Sequence, residues 1–382
     1  MNRTSTEEQT SQLRESHPIR VMHVIDSLAP GGAERMLVEL VNISLDTDIL
    51  PSVCVTRNDL TLSNKIKHDI PVHCLHRNRT FEISKIKAFK QLARENDVQI
   101  FHTHGYSSFR FTFIACLLGK ISGKIILHAH SSSEPDPLTI LLGRSGIDYY
   151  LGTSKETCEW ASSKFHLPPA RIRLMTNAIN PAPYRNASPI KLDLDEIKGQ
   201  KKIGLVIANI RLEKDLLTLI KAVSIAKSRH DLILLIAGLN ADDKYYKKCI
   251  NEINNLGLSE QFRFLGSRDD IPSLIKVIDF GLLSSRRETG PVALIEYLAG
   301  DIPFIVTNTG QIARMVHDAG IPDCVPVGDF QAYAEAIDLL VTLPENERLH
   351  RIEKGRIFFK QQLDITYNSD ELIRVYRQVI SE

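Results

Sequence analysis

Two glutamates with seven residues between them, Glu288 and Glu296, have the side chains and the spacing to bind a polar ligand. They flank the point where an apolar segment, 280–283, leads through a polar turn into a predicted helix. Pro291 can occupy the first position of that helix, where its missing N–H costs nothing. Because Glu288 lies in the turn and Glu296 lies inside the helix, their carboxylates can reach different parts of one ligand.

The start of this predicted helix can also bind an anion. The backbone N–H groups between Gly290 and Ala293 lack intrahelical partners, and the helix dipole attracts a phosphate to this end. Gly290, Pro291 and Val292 are therefore predicted to line a phosphate-binding turn. A phosphate beside two carboxylates suits a sugar attached to a nucleotide.

The segment resembles the E-x7-E motif of the retaining glycosyltransferases of family 4, which share the GT-B fold of two facing Rossmann-like domains with a cleft between them. In that family the first glutamate contacts hydroxyls of the donor sugar and the second contacts the ribose of the nucleotide. The resemblance implies a catalytic role for Glu288 and a donor-binding role for Glu296. For this motif alone, the alternative is an ordinary amphipathic helix with one exposed acid and another in its entry turn.

Composition limits the class of protein. The chain has 382 residues, 43% of them hydrophobic, which is enough for two domains with cores of their own. A net charge of +1 argues against a dedicated nucleic-acid-binding protein. The six cysteines have no spacing that indicates a disulfide framework or a zinc site, so a reducing compartment is expected. A cytoplasmic location is expected because the N-terminus lacks the apolar core of a signal peptide and charged residues interrupt the most apolar run, 109–127.

Short apolar strands alternate with longer helical patterns along the chain, which is typical of parallel sheets in an α/β fold. Strands are predicted near 20–25, 51–56, 98–103, 124–129, 148–152 and 172–176, and then near 203–208, 232–237, 262–265, 279–283, 303–306 and 324–327. The predicted domain plan is a disordered tail (1–18), an N-terminal acceptor-side Rossmann-like domain (19–180, completed by the C-terminal helix 369–382), a linker (181–202), and a C-terminal nucleotide-sugar-binding Rossmann-like domain (203–368).

A glycine pair, Gly31 and Gly32, follows the first predicted strand and leads into a helix. Glycine lets a backbone approach a ligand closely. The family resemblance implies that this loop lies beside the donor phosphates and the acceptor, whereas a plain strand-to-helix turn is the alternative. No G-x-G-x-x-G follows any predicted strand, so a dinucleotide cofactor lacks its fingerprint and no cofactor is expected.

Paired histidines end two successive predicted strands, His102 with His104 and His128 with His130. Since side chains alternate along a strand, the members of a pair point the same way. Residues 101–105 and 127–131 resemble the H-x-H-G and H-x-H-S segments of the family. This resemblance implies that His130 meets the sugar or the acceptor as a catalytic residue and that His104 lies on the acceptor side. Metal binding is disfavoured because no acidic residue accompanies either pair. A core histidine bonded to a carbonyl is the remaining alternative.

Two cations, Arg211 and Lys214, follow the first strand of the second predicted domain. Arginine offers a bidentate fork and lysine a point charge, so together they can hold a diphosphate leaving group. The usual family spacing would place the arginine at Asn209, but a related variant fits Arg211, and the resemblance implies the phosphate role for Arg211 and Lys214. Two exposed charges at a helix start are the alternative.

No catalytic divalent metal is expected. The D-x-D strings, Asp46 to Asp48 and Asp193 to Asp195, do not lie at the carboxyl end of a predicted strand, where a metal diphosphate would bind. Negative charge on the leaving group would then be met by Arg211, by Lys214 and by the helix start.

The segment 65–94 carries eight basic residues against two acidic ones. Each base near an anionic lipid surface adds roughly 1 kcal/mol of attraction. We hypothesise that this face rests on the inner membrane and presents the cleft to a lipid-linked sugar; a solvated helix face is the alternative. The basic residues are Lys65, Lys67, Arg77, Arg79, Lys85, Lys87, Lys90 and Arg94.

The resulting prediction is a retaining glycosyltransferase that moves a sugar from a UDP- or GDP-sugar to a hydroxyl acceptor during cell-surface polysaccharide or glycolipid assembly. A nucleotide-sugar 2-epimerase of the same architecture is one alternative. A non-catalytic nucleotide-sugar-binding protein is another, favoured by Asn209 and by Arg314, which stands where the family usually has a glutamate.

Overall fold

The computed structural model describes residues 18–79, 82–130, 133–192, 201–321 and 324–382. The predicted tail lies outside these residues except for Pro18, and so do Asp193 and Asp195 of the predicted linker. The chain divides into two compact units, unit 1 (Met1–Met175 with Asn368–Glu382) and unit 2 (Thr176–Tyr367).

Within its described residues, unit 1 forms a seven-stranded parallel sheet with the order β3-β2-β1-β4-β5-β6-β7. Its strands are β1 (Ile19–Ile25), β2 (Ile49–Val55), β3 (Val72–Cys74), β4 (Ile100–His104), β5 (Lys124–Ala129), β6 (Tyr149–Gly152) and β7 (Ile172–Leu174). Its helices are α1 (Gly32–Ser44), α2 (Ile83–Glu95), α3 (Tyr106–Gly119), α4 (Pro137–Gly146) and α5 (Lys155–Ser163).

Unit 2 forms a six-stranded parallel sheet in its described part, ordered β10-β9-β8-β11-β12-β13. Its strands are β8 (Lys202–Ile207), β9 (Leu232–Ala237), β10 (Phe262–Gly266), β11 (Phe280–Leu283), β12 (Phe304–Thr307) and β13 (Cys324–Val325). Its helices are α6 (Ala182–Asn186), α7 (Leu216–Ile225), α8 (Asp243–Asn255), α9 (Ile271–Ile275), α10 (Val292–Ala299), α11 (Gln311–Asp318), α12 (Phe330–Val341) and α13 (Glu345–Gln362). The last helix, α14 (Ile365–Ser381), belongs to unit 1 from Asn368 onwards.

The central strands are mostly apolar, as expected for parallel strands that are covered on both faces. In β9, Ile233 and Leu235 enter one hydrophobic cluster, while Leu232, Leu234 and Ile236 enter another. Successive side chains of a strand point to opposite faces, so each strand contributes to two cores. The predicted α/β fold with two parallel, Rossmann-like sheets is confirmed.

One strand was missed. Residues Val72–Cys74 form β3 at the edge of the first sheet, and all three are only half-buried. A strand of three half-buried residues is too short to show either an apolar run or a clear alternation.

Across the described part of the chain, no helix has both the length and the apolar character needed to cross a bilayer.

Candidate functional site

The carboxyl edge of the second sheet holds a lysine–glutamate pair. Nζ of Lys214 donates to Oε1 of Glu288 over 2.5 Å, and Oγ of Ser285 donates to the same oxygen over 2.6 Å. The two charged side chains are only 19% and 10% exposed, so water screens them weakly. Two residues predicted to hold a donor sugar and its diphosphate are therefore in direct contact.

Two turns bring this pair together, one after β8 and one after β11, which are neighbouring strands. Oγ of Ser284 donates to the Lys214 carbonyl over 3.0 Å, and the Arg286 N–H donates to the Glu213 carbonyl over 2.8 Å. The Arg286 guanidinium also pairs with the buried carboxylate of Asp215 at 2.8 Å. These contacts fix the turn that carries Glu288 to the turn that carries Lys214.

A glycine after β12 holds Glu288 from the other side. Gly310 has a φ of +84°, and a Cβ placed on it would lie 2.8 Å from Cβ of Glu288 and 3.0 Å from the Thr289 carbonyl oxygen. The next residue, Gln311, donates its N–H to that carbonyl over 2.6 Å. A side chain at position 310 would thus displace the Glu288 turn.

The helix behind the pair begins one residue later than predicted. Pro291 is the residue before the first turn of α10, with extended backbone angles, and Val292 is the first helical residue. The Gly290 carbonyl accepts a hydrogen bond of 2.6 Å from the Asn177 side-chain amide. This contact positions the chain just before the helix start, which keeps the predicted phosphate-binding turn ordered.

Glu296 lies within α10, in a run of buried residues from Ala293 to Ala299. It is 1% exposed, and one of its carboxylate oxygens accepts a hydrogen bond of 2.8 Å from the Tyr184 hydroxyl. The alternative of an amphipathic helix with an exposed acid is therefore wrong. A carboxylate enclosed in this way lowers stability unless hydrogen bonds or opposite charges compensate for its lost hydration.

Arg211 and Asn209 have different roles in the turn after β8. The Arg211 side chain is 53% exposed, and its Nε lies 3.7 Å from the Glu213 carboxylate. Oδ1 of Asn209 accepts from the Leu239 N–H over 2.9 Å, and the adjacent loops touch so closely that a Cβ on Gly238 would meet the Ala208 carbonyl at 1.9 Å. Asn209 thus joins two loops, while Arg211 extends into solvent.

The glycine pair of unit 1 stands at the start of α1. Gly31 is the residue before the helix and Gly32 is its first residue. A Cβ on Gly31 would lie 2.3 Å from Oε2 of Glu34, because the Glu34 side chain folds back over the helix start. Burial raises the pKa of that carboxyl.

The histidines predicted at two strand ends belong to a larger cluster in unit 1. His102 and His104 on β4, His128 on β5 and His130 just after it are joined by His23 of β1, and four of the five are buried. Short contacts link His23 Nδ1 to His104 Nε2 (3.0 Å), His102 Nε2 to His128 Nδ1 (3.2 Å) and His104 Nδ1 to His130 Nε2 (3.2 Å).

Burial keeps these rings neutral. It lowers the pKa of His23 to about 3 and that of His130 to about 4. The pKa values of His102, His104 and His128 are lowered well below the usual range, first by burial and then by the neighbouring rings. Imidazole in this state both donates and accepts one hydrogen bond.

Sequence reasoning missed two members of the cluster. His23 is paired in register with His102, and the Tyr376 hydroxyl of α14 lies 2.6 Å from His102 Nδ1. A histidine among the apolar residues 21–25 of the first strand was a usable signal. Nothing local marks Tyr376, because its helix reaches the cluster from the other end of the sequence.

Two sets of three histidines have nitrogens close enough to share a metal ion: His23 with His102 and His104, and His104 with His128 and His130. In each set the nitrogens lie within 4.8 Å of one another. The sequence argument against metal binding, that no acidic residue accompanies either histidine pair, is therefore weakened, because a third histidine can supply the third ligand. The third ligand would come from a neighbouring strand.

The basic segment 65–94 does not form one uniform surface. Arg77 is 2% exposed, pairs with Asp26 at 2.8 Å and lies 4.9 Å from the centroid of the Phe111 ring. It supports the interior of unit 1, and its inclusion in a membrane-facing surface was wrong. The other seven basic residues are half-buried or exposed.

The chain is similar to known glycosyltransferases in sequence. Residues 193–378 match the family described as "Glycosyl transferases group 1", and residues 30–182 match "Glycosyltransferase Family 4". The chain is 23% identical over 312 residues to an N-acetyl-alpha-D-glucosaminyl L-malate synthase of Bacillus anthracis, covering 78% of each protein. It is 20% identical over 366 residues to a UDP-Gal:alpha-D-GlcNAc-diphosphoundecaprenol alpha-1,3-galactosyltransferase of Escherichia coli, covering 88% of this chain and 91% of that one.

A solved structure shares the fold. The HepE protein of Anabaena, crystallised with UDP-glucose, superimposes with a TM-score of 0.78 at 17% identity. The superposition covers 94% of this chain and 100% of HepE. At this identity the likeness shows the fold.

Proposed function

The chain belongs to glycosyltransferase family 4, and from this premise we propose that it moves a sugar from a nucleotide-diphosphate donor to a hydroxyl group with retention of the anomeric configuration. The observation that carries the proposal is the contact between Lys214 and Glu288 at the carboxyl edge of a parallel sheet. Ligands of open α/β sheets bind at this edge.

Unit 2 binds the donor in this proposal. The ammonium of Lys214 has three N–H groups, of which one serves Glu288 and two can serve a diphosphate oxygen. Arg211 extends from the same turn and adds a second cation, and the N–H groups at the start of α10 add a dipole. Glu288 binds hydroxyls of the sugar, and Glu296 binds the ribose. Charge developing on the leaving diphosphate is stabilised by groups that are already in place.

The donor nucleotide is proposed to be uridine or guanosine diphosphate, with UDP favoured. Support comes from the HepE protein, which was crystallised with UDP-glucose, and from the galactosyltransferase of Escherichia coli, whose name gives UDP-Gal. Transfer without a divalent metal remains part of the proposal, because Lys214, Arg211 and the start of α10 supply positive potential themselves.

The acceptor is proposed to be a hydroxyl of a saccharide carried by a lipid diphosphate, in cell-surface polysaccharide or glycolipid assembly. The name of the Escherichia coli relative gives an acceptor of that class. His130, with His104 behind it, meets the sugar or the acceptor. Basic residues of 65–94 other than Arg77 attract the anionic membrane that would carry such a lipid.

Incubation with a panel of UDP-, GDP- and ADP-sugars, with and without membrane lipid extract, tests the proposed function. Release of free nucleotide that depends on the extract, with label entering the lipid phase, is expected for UDP-sugars. A sugar converted to its epimer without nucleotide release would establish an epimerase. A thermal shift without any turnover would establish a binding protein.

Membrane contact has a separate test, because transfer to a lipid does not require it. Flotation with vesicles containing anionic lipid is expected to carry the protein upward at low salt and to lose it at high salt. Substituting Lys87 and Arg94, two exposed bases of α2, with glutamine should weaken flotation, whereas Arg351→Gln in α13 of unit 2 should not. Flotation that is absent, or indifferent to salt, would remove the membrane hypothesis.

A further inference from the structure

Two other segments of unit 2 donate hydrogen bonds to the carbonyls of the turn before α10. Nδ2 of Asn177 donates to the Gly290 carbonyl over 2.6 Å, and the Gln311 N–H donates to the Thr289 carbonyl over 2.6 Å. Asn177 lies after β7 in the sequence, whereas Gln311 is the first residue of α11, so neither donor belongs to the turn itself. Each of the two carbonyl oxygens therefore faces a protein donor.

The start of α10 has no side-chain cap of its own. In the described structure Pro291, the residue before the helix, supplies no capping hydrogen bond, and the first helical turn contains no acidic residue. The first N–H groups of a helix have no intrahelical partner and form the positive end of the helix dipole. An anion at this position would meet N–H groups, because the carbonyls of residues 289 and 290 are already bonded elsewhere.

The carboxamide of Asn177 uses only one of its two polar atoms within the protein. Asn177 is 5% exposed, and its Oδ1 has no hydrogen-bond partner among the described residues. The Gly290 carbonyl can only accept, so Nδ2 must face it and the amide cannot be turned the other way round. An unpaired buried acceptor lowers stability, so packing alone does not account for an amide at this position.

Gly290 is the residue of this turn that most needs an external contact. The ring of Pro291 fixes its own φ, whereas Gly290 has no Cβ to restrict its backbone. A Cβ on Gly290 would lie 3.2 Å from Nδ2 of Asn177, so glycine also allows the amide to approach closely. Without that amide, the Gly290 carbonyl is free to rotate toward the helix start and to place negative potential beside a bound anion.

We propose that Asn177 is a positioning residue that holds the Gly290 carbonyl away from the start of α10, so that this helix start presents N–H groups to the diphosphate of the donor. The identity of the anion rests on the proposed function. The restraint on the carbonyl does not, because it follows from a contact within unit 2.

Binding of UDP and of uridine separates a positioning role from a packing role, since only UDP carries the diphosphate. Asn177→Ala removes the donor and the unpaired acceptor together. It should raise the Kd for UDP about tenfold, which is within the range of a partly buried anion contact at a helix start, and change the Kd for uridine little. If the sugar panel identifies another base, the corresponding nucleoside diphosphate and nucleoside replace this pair.

Asn96→Ala is the matched control. Nδ2 of Asn96 donates to the Leu92 carbonyl over 2.8 Å at the end of α2, in unit 1. The substitution removes the same kind of hydrogen bond from the same type of residue. It should leave the Kd values for UDP and for uridine as in wild type.

Gly290→Ala tests the same contact from its other side. The added methyl group would press on Nδ2 of Asn177, so the Kd for UDP should rise in this variant too. The double variant should bind UDP no more weakly than Asn177→Ala alone, because one contact can be lost only once. If Asn177→Ala does not fold, Gly290→Ala carries the test.

NMR of the unliganded full-length protein tests the contact without a donor. In wild type one Nδ2 proton of Asn177 should exchange slowly with solvent, and Asn177→Ala supplies its assignment. The backbone amide signals of Val292 and Ala293 should move in Asn177→Ala and should not move in Asn96→Ala. If no nucleotide of the panel binds, the proposed function fails, yet these spectra still decide whether Asn177 holds the helix start.

Three results would overturn the inference. The first is a Kd for UDP that Asn177→Ala leaves unchanged. The second is an equal loss of affinity for UDP and for uridine, which would make Asn177 a packing residue. The third is a set of Val292 and Ala293 amide signals that do not respond to Asn177→Ala.

Discussion

At the scale of single residues, the two glutamates differ in what surrounds them. Glu288 contacts Lys214 and Ser285 at the sheet edge, whereas Glu296 is enclosed in α10 and contacts Tyr184. In the proposed function Glu288 contacts a cation beside the reacting sugar, so it should affect the chemical step. A residue enclosed behind it affects binding and stability.

Glu288→Gln should therefore reduce kcat by about 10²-fold, because the sugar loses a proposed contact and Lys214 loses the carboxylate that holds it, and a small misplacement of such groups has an effect of this size. Glu296→Gln should mainly raise the Kd for UDP, measured by calorimetry. Tyr184→Phe serves as the control, because it keeps the Glu296 carboxylate and removes only its hydroxyl partner. Equal effects of both glutamine variants on binding alone would contradict the assigned roles.

At the scale of elements, turns after neighbouring parallel strands build the candidate site. Arg286 and Ser284 bind the turn after β11 to the turn after β8. On its other side, the turn after β11 packs closely against Gly310, which follows β12. Parallel strands bring their carboxyl ends to one edge, so these turns can meet although they are far apart in the sequence.

Gly310→Ala should disturb the Glu288 turn. Alanine would be strained at a φ of +84° and would also press on Glu288 and Thr289. Gly320→Ala is a matched control with a φ of +65° and nothing within 4 Å of the added Cβ, so it costs only backbone strain of about 1–2 kcal/mol. Both variants should lower the urea midpoint, but only Gly310→Ala should also lower activity. Equal activity of the two would show that the turn tolerates displacement.

At the scale of the whole molecule, unit 1 buries neutral histidines in its sheet. A ring whose pKa is about 3 or 4 in the folded state, against about 6.5 when unfolded, takes up protons far more readily in the unfolded chain. Stability from this source is complete above pH 6.5. It is lost as the pH falls from about 6.5 toward those lower values.

Unit 1 should accordingly unfold more easily in mild acid. Each such histidine contributes up to about 1.4 kcal/mol per pH unit between the two pKa values. Trp160, the single tryptophan of the sequence, is buried in α5 and reports on unit 1 alone, so its fluorescence in urea at pH 7, 6 and 5 measures the effect. His23→Gln should flatten the pH dependence, while a change at the exposed His68 should not. A midpoint independent of pH would mean that the histidines are not buried in solution.

Local pattern was enough to predict much of this protein. The alternation of apolar strands with helices predicted two parallel sheets, and Glu288, Glu296 and Lys214 could be singled out because short motifs record the geometry of one strand, one turn and one helix. The helix start at Val292 instead of Pro291 is the expected error of one residue at a boundary. The family itself could be read from such segments in their order.

Other properties were settled only by folding. Arg77 looks like a surface charge in the sequence, but its place beside Asp26 buries it. The hydroxyl of Tyr376 contacts the ring of His23, although the two residues are 353 positions apart in the sequence. Strand register and helix docking decide which distant side chains touch, and hydrogen bonds and desolvation depend on those contacts. Residue order along the chain determined the elements and their motifs, whereas the close approach of distant residues decided burial, protonation and the choice of hydrogen-bond partners.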